Sequence, residues 1–156
     1  VTGMTTSNTA VPQQGGSWVQ TGPLSFGHTL SGADGVFEQI SEVPTLTIPY
    51  AGVWEIAYNA HGSLSLPANG AVVLIRTALY NNGVIIAGSE AVSGIQSATG
   101  FGFQNTFGQT LLHTFAAQDQ VALYAHRQGP APAAASISSG SDGRTGVMAH
   151  WVSPGF

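Results

Sequence analysis

From Val53 the chain alternates. Trp54, Ile56, Tyr58 and Ala60 share one parity, and Glu55, Asn59 and His61 share the other. A strand sends successive side chains to opposite faces, so period two with one apolar set marks a half-buried strand. Shorter runs of the same kind fill the rest of the chain. Val36-Phe37-Glu38-Gln39-Ile40 is one, and Thr45-Leu46-Thr47-Ile48 is another. Ala71 to Tyr80 is the most apolar stretch and reads as a central strand. It runs into Asn81-Asn82-Gly83, a hairpin signal because Asn and Gly tolerate positive φ, and Val84-Ile85-Ile86 starts the return strand. Phe101, Phe103, Asn105 and Phe107 alternate with small or polar residues, and Leu111 to Phe115 either continues that strand or follows a bend at Gly108. A short strand at Val121 to Ala125 follows a turn at Asp119, and Val147 to Val152 is the last. No segment sustains a helical period and no internal repeat is present. Short strands separated by turn signals predict an all-β sandwich or barrel.

The chain has 156 residues, the length of one domain. Residues 1–16 are polar and aperiodic and end in Gln13-Gln14-Gly15-Gly16, which predicts an N-terminal arm ahead of a domain at residues 17–156. Gln128 to Gly143, rich in Pro, Ala, Ser and Gly, reads as a long exposed loop with a short strand at most at Ser136-Ile137-Ser138.

Charge narrows the function classes. Three cations, all arginine, stand against seven acids, for a net charge of −4. Too few cations are present to neutralise a run of phosphates or an anionic bilayer surface, so neither nucleic acid nor membrane is expected as a partner. No apolar run approaches the ~20 residues of a spanning helix. Val1-Thr2-Gly3-Met4 lacks the basic and apolar regions of a signal peptide, so either no secretion or a signal already removed is expected. Charged residues make up 6% of the chain, against about 25% in ordinary soluble domains. With 43% hydrophobic residues, that surface suits an oligomer or a lattice component better than a free monomer.

The chemistry-bearing residues are scattered. With no Cys, disulfides and thiolate metal sites are excluded. His28, His61, His113, His126 and His150 show no i, i+2 or i, i+4 pairing, so no metal and no other cofactor is expected. Asp34, Asp119 and Asp142 fall in loops, where Asp ordinarily forms turns. Gly140-Ser141-Asp142-Gly143 is not a nucleophile elbow, and Gly100-Phe101-Gly102 lacks the rest of a dinucleotide fingerprint. A binding or structural protein is expected, not an enzyme.

Leu46, Pro49, Gly52, Trp54 and Ile56 are spaced as an aromatic-Pro-Gly-Tyr-Phe pattern, with apolar bulk kept at the changed positions. Further on, Phe115, Asp119 and Val121 match a Leu-x-x-Gly-Asp-x-Val pattern, with Gln118 in place of the Gly. Over residues 24–153 the series resembles the globular heads of complement C1q and tumour necrosis factor. Arg144-Thr145-Gly146 departs from that family's closing Phe-x-Gly. The residues also make sense unaided: Gly52 permits a tight entry into the long strand, Pro49 ends a strand, and Asp119 closes its turn.

The resemblance implies a ten-strand jelly roll and a homotrimer. It implies that aromatics such as Trp54, Tyr58, Phe101, Phe103, Phe107 and Tyr124 divide between the core and the three-fold interface. It also implies, for some members, loop-held Ca²⁺; here no loop Asp has an acidic neighbour in sequence. The expected role is a trimeric bacteriophage virion component, either a capsid decoration protein or a tail-fibre or minor-tail head. The alternative is a secreted or spore-surface bacterial adhesin, or a carbohydrate-binding module, of the same fold. Expected partners are further copies of the chain, neighbouring virion or surface-assembly subunits, and a host-surface glycan. Val1, Met4 and Val11 are the apolar contacts of an arm that docks onto a neighbour.

Overall fold

A computed structural model describes residues 17–67, 71–129 and 133–155. The arm with Val1, Met4 and Val11 lies outside them. Among the described residues every regular element is a strand. The short strands are β1 (Trp18–Gln20), β2 (Phe26–Thr29), β3 (Glu38–Gln39), β4 (Leu46–Thr47) and β7 (Val84–Ile85). The longer ones are β5 (Gly52–Leu66), β6 (Ala71–Asn81), β8 (Ala91–Ser97), β9 (Phe101–Phe115), β10 (Gln120–Gln128), β11 (Ala134–Ser139) and β12 (Gly146–Ser153).

The strands form two antiparallel sheets. In sheet A, β5 is central, with β9 along one side and β12 then β11 along the other; β1 flanks β12 and β2 flanks β11. In sheet B, β10 lies between β6 and the short β3 and β4, and β6 carries β7 and β8 on its far side. Merging β1 with β2, β3 with β4, β7 with β8 and β11 with β12 leaves eight segments. Their order is first, eighth, third, sixth in one sheet and second, seventh, fourth, fifth in the other. That is jelly-roll connectivity, so the fold is a jelly-roll β-sandwich.

The alternation in β5 aims its apolar set inward. Trp54, Ile56 and Leu64 are fully buried against Val73, Ile75 and Leu79 of β6 and Leu123 of β10. The Asn81-Asn82-Gly83 hairpin turns with positive φ at Asn82 and Gly83, as a primed turn requires.

Several local expectations change. Residues 128–143 are not one loop, because β11 pairs with β5 on one side and β2 on the other and buries Ile137. Its side chains are small, so its period was faint, but two flanking strands bury it regardless. β9 is continuous through Gly108. A Cβ there would collide with the Tyr58 carbonyl, so the glycine admits a close strand approach and marks no bend. The Val36 to Ile40 run shrinks to two paired residues, while the strand at Val121 grows to nine.

Candidate functional site

The outward face of sheet A follows from its register, since residues opposite each other on neighbouring strands share a face. One row runs Trp18, His150, Glu55, Leu112, and the next Gln20, Met148, Ala57, Thr110. Gly146, Asn59 and Gly108 follow. Beyond them come Gly27, Ser138, His61, Thr106 and then Thr29, Ser136, Ser63, Gln104. Across these rows Glu55 is the one carboxylate, and no Lys or Arg occurs. An open groove of about 600 Å³ crosses the face between β1, β12, β5 and β9, lined by Gln20, Asn59, Thr106 and Met148 among others. Arg144 stands at its margin, and its guanidinium donates to the Leu24 carbonyl at 2.8 Å.

β9 borders this face. Among the described residues it pairs with β5 alone. None of its 15 residues is charged or Pro, so it lacks two of the usual guards of an exposed edge, although the Ser93 hydroxyl donates to its Asn105 and its Gln109 amide donates to the Glu90 carbonyl. Phe101 and Leu112 are 52% and 61% exposed on it.

His61 is the most elaborately held imidazole. Its Nδ1 is 3.0 Å from Thr106 Oγ1, and its Nε2 is 3.7 Å from Asp142 Oδ2. A Thr–His–Asp sequence in space therefore exists, but 3.7 Å is too long for the hydrogen bond that would orient a general base. The ring is only 5% exposed and lies against Gly143, while its backbone N–H donates to Thr145 Oγ1 at 2.8 Å. These contacts fasten the β11–β12 connection to the sheet.

The remaining candidates are dispersed. His28 on β2 reaches Glu38 and Glu42, and His113 packs edge-on against Phe115. Among the described residues no three His, Asp or Glu side chains are arranged to hold a metal ion. Asp34 accepts from the Gly129 N–H at 2.8 Å. Asp119 accepts from Asn82 at 2.9 Å through Oδ1, and through Oδ2 from Asn81 at 3.0 Å and the Ala116 N–H at 2.9 Å. Burial pushes its pKa up, but these donors outweigh that and hold it below the usual carboxylate range. Asp119 thus ties the β9–β10 turn to the β6–β7 hairpin. The two asparagines were legible only as turn formers, because their partner lies 37 or 38 residues away.

The motif residues occupy structural positions. Leu46, Trp54, Ile56 and Val121 are core, and Pro49 follows β4 where no ladder donor is needed. At Gly52, with φ of 148°, a Cβ would meet the Ser153 carbonyl and come within 2.6 Å of Trp151 Nε1. Gln118 has φ of 70°, so it adopts the left-handed conformation that glycine would hold without strain.

The aromatics divide three ways. Trp54 and Tyr58 are core; Tyr58 donates to the Ser89 carbonyl at 2.6 Å, and burial pushes its hydroxyl up to about 12. Phe103 and Phe107 are half-buried along β9. Tyr124 lies on the outward face of sheet B, stacked on Tyr80 with centroids 4.0 Å apart. Phe37 meets Tyr80 at 5.7 Å and His126 at 4.6 Å, both edge-on. A Tyr80 facing outward from the most apolar strand could not be told from one facing inward until the pairing was known.

No protein-family model and no curated protein matches the chain. Among solved structures it is similar to the TNF Eiger from S. frugiperda. The identity is 9%, the match covers 86% of this chain and 96% of that one, and the TM-score is 0.48. The connectivity derived above stands without that likeness.

Proposed function

We propose that the chain is a non-enzymatic structural protein that assembles as a homotrimer within a bacteriophage virion, as a capsid decoration protein or a tail-fibre or minor-tail head. The observation that carries self-assembly is the outward face of sheet A, in whose paired rows Glu55 is the one carboxylate, beside a 15-residue edge strand without charge or Pro. Exposed Leu112 on this face, with Phe101 at the start of β9, is apolar surface that a second protein surface covers better than water does. Cyclic symmetry covers such a face and its edge together, with no open end left to grow.

The virion assignment rests on the low charge of the whole chain and the uncharged arm at residues 1–16. In this reading the arm, through Val1, Met4 and Val11, docks each trimer to a neighbouring subunit. No nucleic acid, membrane or cofactor enters it.

Light scattering on the full chain at micromolar concentration is expected to give three times the chain mass. Leu112→Arg is expected to give a folded monomer. A monomeric wild type overturns the reading. A chain beginning at Ser17 is expected to remain a trimer but to be missing from particles, as read by mass spectrometry of purified virions. Equal incorporation of both chains overturns the arm's role.

A further inference from the structure

Sheet B turns a different surface outward. Its inward residues, Val73, Ile75, Leu79, Val121, Leu123 and Ala125, belong to the core. Tyr80 and Tyr124 stand on the opposite parity, so their rings face away from it. Burial alone does not account for the cluster with Phe37, because all three rings are half-buried on the outside of the sandwich.

Three further observations bear on what the cluster contacts. The first is unspent hydrogen-bonding capacity. Among the described residues neither tyrosine hydroxyl has a hydrogen-bond partner, nor does the amide of Gln39, which pairs with Tyr124 across the ladder. His126, on the same face, is 6% exposed, and its Nδ1 is buried with no partner. A tyrosine offers both a donor and an acceptor, and an amide offers two donors and an acceptor. The second is charge: Arg76, opposite His126, has Glu90 3.9 Å away, so the face carries a cation already offset by an anion. The third is position, because the cluster lies on the sheet opposite the proposed assembly face and stays open when that face is covered.

Apolar ring surface interleaved with unspent hydroxyl and amide groups, and near neutrality, is the chemistry a pyranose presents in mirror form. A sugar ring has a C–H face and a rim of hydroxyls that both donate and accept. A guanidinium fork such as that of Arg76 can span two adjacent hydroxyls. A protein strand is a poorer fit, since Tyr80 and Tyr124 lie on the two central strands, and the edge strand beside them, β3, offers only two paired residues.

We propose that the outward face of sheet B, centred on Tyr80, Tyr124 and Phe37, binds the rings of an uncharged glycan. Tyr80 and Tyr124 supply ring contact and hydroxyls, and Gln39 and Arg76 bond the sugar rim. The inference does not depend on the trimer, although three such faces on one particle would bind a repetitive glycan jointly.

The test is a glycan array carrying neutral and carboxylate-bearing oligosaccharides, probed with labelled full-length chain. The wild type is expected to bind neutral members. Tyr80→Ala and Tyr124→Ala are each expected to weaken binding about tenfold or more, the scale of one lost ring contact with its hydrogen bond. Tyr124→Phe, which keeps the ring, is expected to lose less and guards against misfolding of the alanine variants. Light scattering on the same samples should give unchanged masses, which separates this proposal from the assembly reading. Absence of binding to any glycan, binding confined to carboxylate-bearing members, or equal binding by the tyrosine variants overturns the proposal. A change of mass in those variants also overturns it, because the face would then be a contact between copies.

Discussion

His28 on β2 places Nδ1 2.7 Å from Oε2 of Glu42. The other ring nitrogen is 3.1 Å from Glu38 on β3, so one imidazole links the edge of sheet A to the edge of sheet B. Ionised carboxylates only accept, so satisfying both at once requires both ring N–H groups, and hence the imidazolium.

That requirement sets a pH dependence. Burial pulls the His28 pKa down, but the hydrogen bonds and charges of Glu38 and Glu42 outweigh it and raise it above 6.5. Its stabilising contribution is full below pH 6.5 and is lost as pH rises through the folded value. Burial likewise pushes Glu42 up, but a backbone hydrogen bond and His28 outweigh it and hold it below 4.5. Its contribution is present above pH 4.5 and is lost as pH falls through the folded value. The link is strongest between these limits. The partners are partly solvated, so it is worth about 1 kcal/mol or less. In thermal melts His28 should contribute a fall in Tm of up to about 2–4 °C from about pH 6 to pH 8, against which half-buried His113, its pKa lowered by burial, works in the opposite direction. Glu42→Gln should flatten that slope, and an unchanged slope would remove His28 as its source.

Trp54→Ala should be the costliest aromatic truncation. The ring is fully buried and its Nε1–H donates to the Tyr50 carbonyl at 3.1 Å. Loss of about 3–5 kcal/mol is expected in urea unfolding, against a few tenths for His150→Ala on the outward face. Comparable losses for the two would contradict the assigned facing of β5.

Gln118→Gly should stabilise the protein. Gln118 is exposed, holds φ of 70°, and is bonded through its backbone. Glycine relieves a strain of about 1–2 kcal/mol at some cost in unfolded-chain entropy, leaving a gain of about 0.5–1 kcal/mol. The urea midpoint should rise with an unchanged m-value.

Gly52→Ala should act in the opposite direction. A Cβ at Gly52 meets the Ser153 carbonyl and the Trp151 indole, and φ is unfavourable for any L side chain. A loss of about 3 kcal/mol or more is expected. A melt within a degree or two of wild type would mean that β12 can move away from the start of β5.

What could be read in the chain differs from strand to strand. β5 and the β6–β7 hairpin were legible because their signals are local: alternation over a long run, and Asn-Gly at a two-residue turn. β11 was nearly invisible, since Ile137 is its only large side chain and its burial comes from β5 and β2 on either side. Among the motif residues, Gly52 is legible as a position that needs no side chain, but the atoms that crowd it belong to β12, about a hundred residues away.

The sequence by itself determined that the chain is all-β, that its surface carries little charge, and that Trp54, Ile56 and Tyr58 point the same way. These follow from periodicity and composition, which act along the chain. Only the tertiary structure decided which face is which. Pairing of β5 with β9 and β12 gathered residues from distant segments into one outward face, and pairing of β6 with β10 brought Tyr80 against Tyr124. Register between distant strands is set by how two apolar faces fit together across the sandwich. No single strand carries that information, so the surfaces this protein offers to partners come into being only when the sheets close.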